Sequence, residues 1–163
     1  MTRYEPARLT LLASVLVFAG LAAGVRADDA RPFSATLDGF ASPVFQPDGC
    51  TIINDEHGTG TATHLGAITW VSHEVVNICS NPPGQVVGQI TLTAADGDLL
   101  FGEYEALANL DFGAGQVTAN GQLQVTGGTG RFAGASGEGV ISAVGSLAPP
   151  FDLIGGISGV ISY

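Results

Sequence analysis

Gly127-Gly128-Thr129-Gly130-Arg131-Phe132-Ala133-Gly134-Ala135-Ser136-Gly137 is the stretch that decides the fold. Glycine supplies positive φ angles and lets backbones approach closely. Five glycines here therefore read as a sharp reversal with one large apolar side chain, Phe132, at its middle. The stretch predicts a strand, a tight turn with about one helical turn over 131–135, and a second strand. A phosphate-binding loop would have to open a helix. The spacing Gly128-x-Gly130-x-x-x-Gly134 is one residue too long for the dinucleotide fingerprint. The sequel Glu138-Gly139-Val140-Ile141-Ser142-Ala143-Val144 is β-branched and glycine-rich, which favours a strand.

Strand patterns extend outward on both sides. Residues 116–126 alternate strictly, with Val117, Ala119, Gly121, Leu123 and Val125 on one face and Gln116, Thr118, Asn120, Gln122 and Gln124 on the other. Residues 99–107 read as the strand before it, after a loop at 109–115. Asp96-Gly97 marks a hairpin turn behind a strand at 86–95. Asn81-Pro82-Pro83-Gly84 is a turn, preceded by a long β-branched strand at 67–78. Residues 60–66 and 32–38 read as two more strands. The residues between those two are read as a loop at 39–54, carrying Pro43, Pro47, Gly49 and Cys50, and a turn at Asp55-Glu56-His57-Gly58. Downstream, 140–147 and 151–163 are strands separated by Pro149-Pro150. The order is about eight strands joined mostly by short turns. Pairing the last strand with the first closes an antiparallel up-and-down β-barrel and removes both sheet edges. Eight strands leave room for side chains or one small ligand.

The first segment reads as a signal peptide. Arg3 and Arg8 form a positive region, residues 9–23 are almost unbroken apolar sequence, and Val25-Arg26-Ala27 offers small residues for cleavage. The expected division is a signal peptide at 1–27 and a single barrel domain at 28–163. The product would be secreted, periplasmic or otherwise extracytoplasmic, with no stable membrane anchor once cleaved. The chain has a formal net charge of −10 and no lysine, and beyond Ala27 its only cations are Arg31 and Arg131. That excludes nucleic acid, whose phosphates need Lys and Arg, and disfavours anionic membrane surfaces. Two cysteines in an exported chain read as a disulfide, Cys50–Cys79. Neither brings further Cys or His at ligand spacing, so no metal is expected.

Strand parity offers candidate lumen residues. Burying Glu103 and Glu105 unpaired would cost several kcal/mol, so Leu100, Gly102 and Tyr104 turn inward, and Tyr104 offers a phenol. In 67–78 the parity conflicts: one face carries Ile68, Trp70, Glu74 and Val76, and turning the strand over would instead bury His73 with Val71 and Val75 and expose Trp70. With Trp70 inside, Glu74 sits in or near the lumen. Desolvation there would raise its pKa and make it a candidate acid or base; at the wet end of the strand, or beyond a bulge, it would do neither. His64 could point inward as a donor or serve structurally. His57 beside Asp55 and Glu56 reads as an exposed turn. Ser136 lacks a nucleophile elbow, and Arg131 reads as a structural ion pair. The last strand is apolar on both faces, Ile154 and Val160 on one, Phe151, Leu153, Ile157 and Ile161 on the other. We read this as a wall covered by a neighbour, hence a homo-oligomer; the competing reading is scattered apolar surface of no consequence.

Three stretches carry a family resemblance: Gly60-Thr61-Ala62-Thr63-His64-Leu65-Gly66; Thr93-Ala94-Ala95-Asp96-Gly97-Asp98-Leu99-Leu100-Phe101-Gly102; and the glycine stretch with Gly156-Ile157-Ser158-Gly159-Val160-Ile161-Ser162-Tyr163 closing the chain. Together they resemble exported bacterial proteins of the allene oxide cyclase barrel-like superfamily, to which dirigent proteins also belong. The resemblance implies an eight-stranded antiparallel barrel, often trimeric, with a lumen open at one end and enzymes that work without cofactors. It assigns no residue here position by position. Two functions are therefore expected. One is an exported barrel binding a small apolar ligand or serving an extracytoplasmic interaction, with Trp70, Glu74, Tyr104 and His64 as ligand-binding candidates. The alternative is a cofactor-independent cyclase or isomerase acting in the lumen, with Glu74 as the catalytic candidate.

Overall fold

A computed structural model describes residues 30–163. The leader read at 1–27 lies outside the described residues. Eight strands follow in order: β1 (Arg31–Phe45), β2 (Thr51–Ala62), β3 (Gly66–Asn77), β4 (Gln85–Ala94), β5 (Leu99–Asp111), β6 (Gln116–Gly128), β7 (Ser136–Ser146) and β8 (Asp152–Ser162). Each pairs antiparallel with the next, and β8 returns to β1 with Ala35 opposite Ile157, so the barrel is closed. Among the described residues no helix is long and apolar enough to cross a membrane.

The glycine stretch forms the closed end of the barrel. Gly127, Gly130 and Gly134 take positive φ angles of 151°, 55° and 79°. A single 3-10 turn, Gly130–Phe132, drops the Phe132 ring into the interior, where it is fully buried 4.9 Å from the Tyr163 ring. Arg131 braces this end by pairing with Asp96 and, at 3.3 Å, with Asp98. It is the structural ion pair expected of it.

Three expectations need correction: the loop at 39–54, the turn at 55–58 and the strand at 60–66. Residues 39–54 are not one long loop, since β1 runs on to Phe45 and β2 starts at Thr51, leaving only 46–50 as the connection. Asp55-Glu56-His57-Gly58 is not a turn but the middle of β2, paired with His73, Ser72, Val71 and Trp70 of β3. Prolines and glycines suggested breaks, yet Pro43 and Gly58 sit within a continuous ladder. The true β2–β3 turn is 63–65, with His64 at φ 70°.

Cys50 and Cys79 are joined. The bond clasps the open end of the β2–β3 hairpin, just beyond the pair Thr51–Asn77, and Ile78 N–H donates to Cys50 O at 2.9 Å to extend the ladder. It closes 29 residues, a constraint worth roughly 3–4 kcal/mol in the chain-entropy view.

Candidate functional site

The barrel is packed solid at the closed end and hollow at the other. A cavity of about 320 Å³ opens at the end bearing the loops 46–50, 78–84, 112–115 and 147–151. Its wall is mostly apolar, including Val76, Ile90, Ile141 and Leu153, with Ser146 and Asp152 toward the rim and one group of polar side chains deeper in.

Strand alternation gathers that group. β2 sends Asn54 and Glu56 inward, β3 sends Trp70, Ser72 and Glu74, and β5 sends Tyr104. The register places Asn54 opposite Glu74 and Glu56 opposite Ser72. Two glycines make room for the aromatic rings. A Cβ at Gly39 would lie 2.7 Å from the Trp70 ring, and one at Gly88, directly across from Tyr104, would lie 2.3 Å from Tyr104 Cζ. Trp70 is 2% exposed and its Nε1–H donates to Thr59 O at 3.1 Å.

Apart from the Trp70 indole, every side-chain donor in the group is turned on the two carboxyls. Asn54 Nδ2 donates to Glu56 Oε1 at 2.9 Å and to Glu74 Oε1 at 3.0 Å, bridging them. Ser72 Oγ donates to Glu56 Oε2 at 2.9 Å, and Tyr104 OH donates to Glu74 Oε2 at 2.9 Å. Asn54 is 8% exposed, and its own Oδ1 has no partner.

Burial pushes the Glu56 carboxyl up to about 7, and the charge of Glu74 adds to the effect; hydrogen bonds from Ser72 and Asn54 oppose it. Burial, followed by the charge of Glu74, holds the Tyr104 phenol well above its usual range, so it stays a neutral donor. The arrangement is a carboxyl pair in an apolar chamber with a proton available near neutrality, the electrostatic setting of an acid–base site.

The same architecture exists in a solved structure. The pterocarpan synthase dirigent protein aligns over 82% of this chain and 85% of its own, with a TM-score of 0.50 and 14% sequence identity. The fold is a dirigent-like barrel. At that identity the likeness is one of fold. No protein-family model matches this sequence, and no curated protein matches it either.

Of the sequence candidates in this dirigent-like barrel, Trp70, Glu74 and Tyr104 meet in the lumen. His64 does not join them. It lies exposed in the 63–65 turn at the closed end, its Nε2 3.0 Å from Pro32 O. The strand that was to turn it inward ends at Ala62. His57 and His73 lie on the outer wall, His73 within 2.6 Å of Asp55. Sequence reading missed Glu56, Asn54 and Ser72. A signal for them existed. A hairpin clasped by Cys50 and Cys79 must turn near residues 64 and 65, which brings Glu74 opposite Asn54 or Asp55 and Ser72 opposite Glu56 or His57, and the observed register settles on Asn54 and Glu56.

Proposed function

We propose that the barrel binds one small, largely apolar molecule in its lumen, in an extracytoplasmic compartment. The observation that carries this reading is the cavity of about 320 Å³, open at one end, with mostly apolar walls and one cluster of polar side chains from β2, β3 and β5. Such a chamber has the size and lining of a small-molecule site. The disulfide supports an oxidising compartment, in keeping with the leader read at 1–27. The test is titration with 1-octanol while following Trp70, the only tryptophan in the chain. Trp70 should emit at short wavelength, and its intensity should change saturably at one molecule per barrel. Emission that does not respond to 1-octanol, with no heat of binding in calorimetry, would reject the reading.

A second reading is favoured by the carboxyl pair: ring closure or isomerisation of the bound molecule by proton transfer, without a cofactor. Glu56 would deliver a proton to one atom of the substrate and Glu74 would remove one from another, leaving the proton count unchanged. A protein of this fold carries the name of a synthase, which supports the fold as a host for chemistry but does not choose the reaction. On this reading Glu56→Gln and Glu74→Gln each lower turnover by about 10²-fold or more and leave 1-octanol binding intact. Turnover that survives both substitutions would reject it.

A further inference from the structure

The hydrogen-bond ledger of the lumen is one-sided. Both N–H groups of Asn54, the Ser72 hydroxyl and the Tyr104 hydroxyl are already donated to Glu56 and Glu74. What remains free is acceptor capacity: the second lone pairs of four carboxyl oxygens, those of the two hydroxyls, and Asn54 Oδ1, which has no partner although the side chain is more than nine-tenths buried. A carboxylate oxygen can accept more than one hydrogen bond, and an amide oxygen two. Among the described residues no Lys, Arg or His lines the cavity. With both carboxyls ionised, a neutral ligand with only acceptors would find no donor free among Asn54, Ser72 and Tyr104. A ligand bringing N–H donors and positive charge would satisfy the group and relieve the cost of holding two carboxyls away from water.

We propose that the lumen is built for an organic cation, a small primary ammonium ion whose apolar body fills the cavity and whose N–H groups reach Glu56 and Glu74. The inference rests on the lumen being a ligand site. The strongly acidic exterior, with a formal net charge of −10, would raise the local concentration of such a cation at the mouth. The groups facing Glu56 are Ser72 and Glu74 from β3, Tyr104 from β5, and the non-titrating Ala41 and Pro43 from β1; Asp152 stands at the rim. None is a cation that could compete for the pair. Because burial holds a proton on Glu56 up to about 7, an ammonium ion has to displace that proton at lower pH. An alkylammonium is itself charged throughout this range, as lysine is below ~10.4.

The experiment compares three probes of one length, octylamine, 1-octanol and octanoate, by calorimetry on the full chain at pH 8 and then at lower pH. Octylamine should bind at least about tenfold more tightly than 1-octanol at pH 8, as a charge-assisted hydrogen bond implies, and octanoate should not bind. Octylamine affinity should fall by up to about tenfold per pH unit below 7, with release of a proton on binding, while 1-octanol affinity stays flat. Glu56→Gln and Glu74→Gln should each reduce the preference for octylamine by about tenfold and spare 1-octanol. If 1-octanol binds as tightly as octylamine, or octanoate binds, the cation inference is overturned and the apolar lumen reading stands. If none of the three binds, the lumen reading falls and takes this inference with it.

Discussion

Glu56 ties the site to the stability of the whole chain. Its carboxyl is pushed from 4.5 to about 7, chiefly by burial. The folded chain therefore keeps a proton that the unfolded chain releases between those two values. Its contribution is fully present below pH 4.5 and is lost as pH rises through 7. Unfolding free energy should fall by on the order of 2–3 kcal/mol between pH 4.5 and pH 8 through this group. Urea midpoints should show the fall in the parent chain and a much flatter profile in Glu56→Gln; equal slopes would refute the assignment. Parity named Trp70, Tyr104 and Glu74 as candidates, but both faces of 67–78 carry bulky apolar residues, so parity alone left open which face is inside. Glu56 and Asn54 it did not name. The inner face of β2 carries Ile52, then Asn54, Glu56 and Gly58, so the usual apolar alternation is missing where the chain is building a polar group.

Among the elements, the closed end and the stapled hairpin were legible to different degrees. The glycine stretch announced a reversal around Phe132, and the structure has one, because positive φ at Gly130 and Gly134 is a local demand that sequence states directly. Phe132→Ala should cost about 3–5 kcal/mol, read as a lower thermal midpoint, since the ring is fully enclosed against Tyr163. The β2–β3 hairpin was harder, because its turn at 63–65 looked like strand and its middle looked like turn. Gly88 on β4 offers a sharper test of the site. Gly88→Ala would place a methyl group where the Tyr104 ring lies, breaking the bond from Tyr104 OH to Glu74. A loss of about 1–3 kcal/mol is expected, together with altered Trp70 emission. A crystal structure of that variant with Tyr104 unmoved would contradict the account of Gly88 as the space-maker.

Over the whole barrel the outer wall is uneven. β5 and β6 present Glu103, Glu105, Gln122 and Gln124 beside Leu107, while Val71 and Val87 stand out on β3 and β4 and Val144, Ile154 and Phe40 on β7, β8 and β1, with Ile154 63% exposed and paired to Val144. The apolar side argued from the last strand is thus on the outside. Light scattering at micromolar concentration should report a mass of two or more chains, and Ile154→Asp should shift it to one. A monomer across that range in the parent chain would reject the oligomer. The Cys50–Cys79 bond also divides the rim. It ties the 46–50 connection to the 78–84 connection, while 112–115 and 147–151 carry no such tie, and Phe112 on the untied side is 80% exposed and lines the entrance. Traffic into the lumen should therefore answer to one side only. Shortening Phe112 to alanine should speed entry and exit by similar factors and leave equilibrium affinity nearly unchanged, so that the two halves of one doorway set separately how tightly a guest is held and how long it waits.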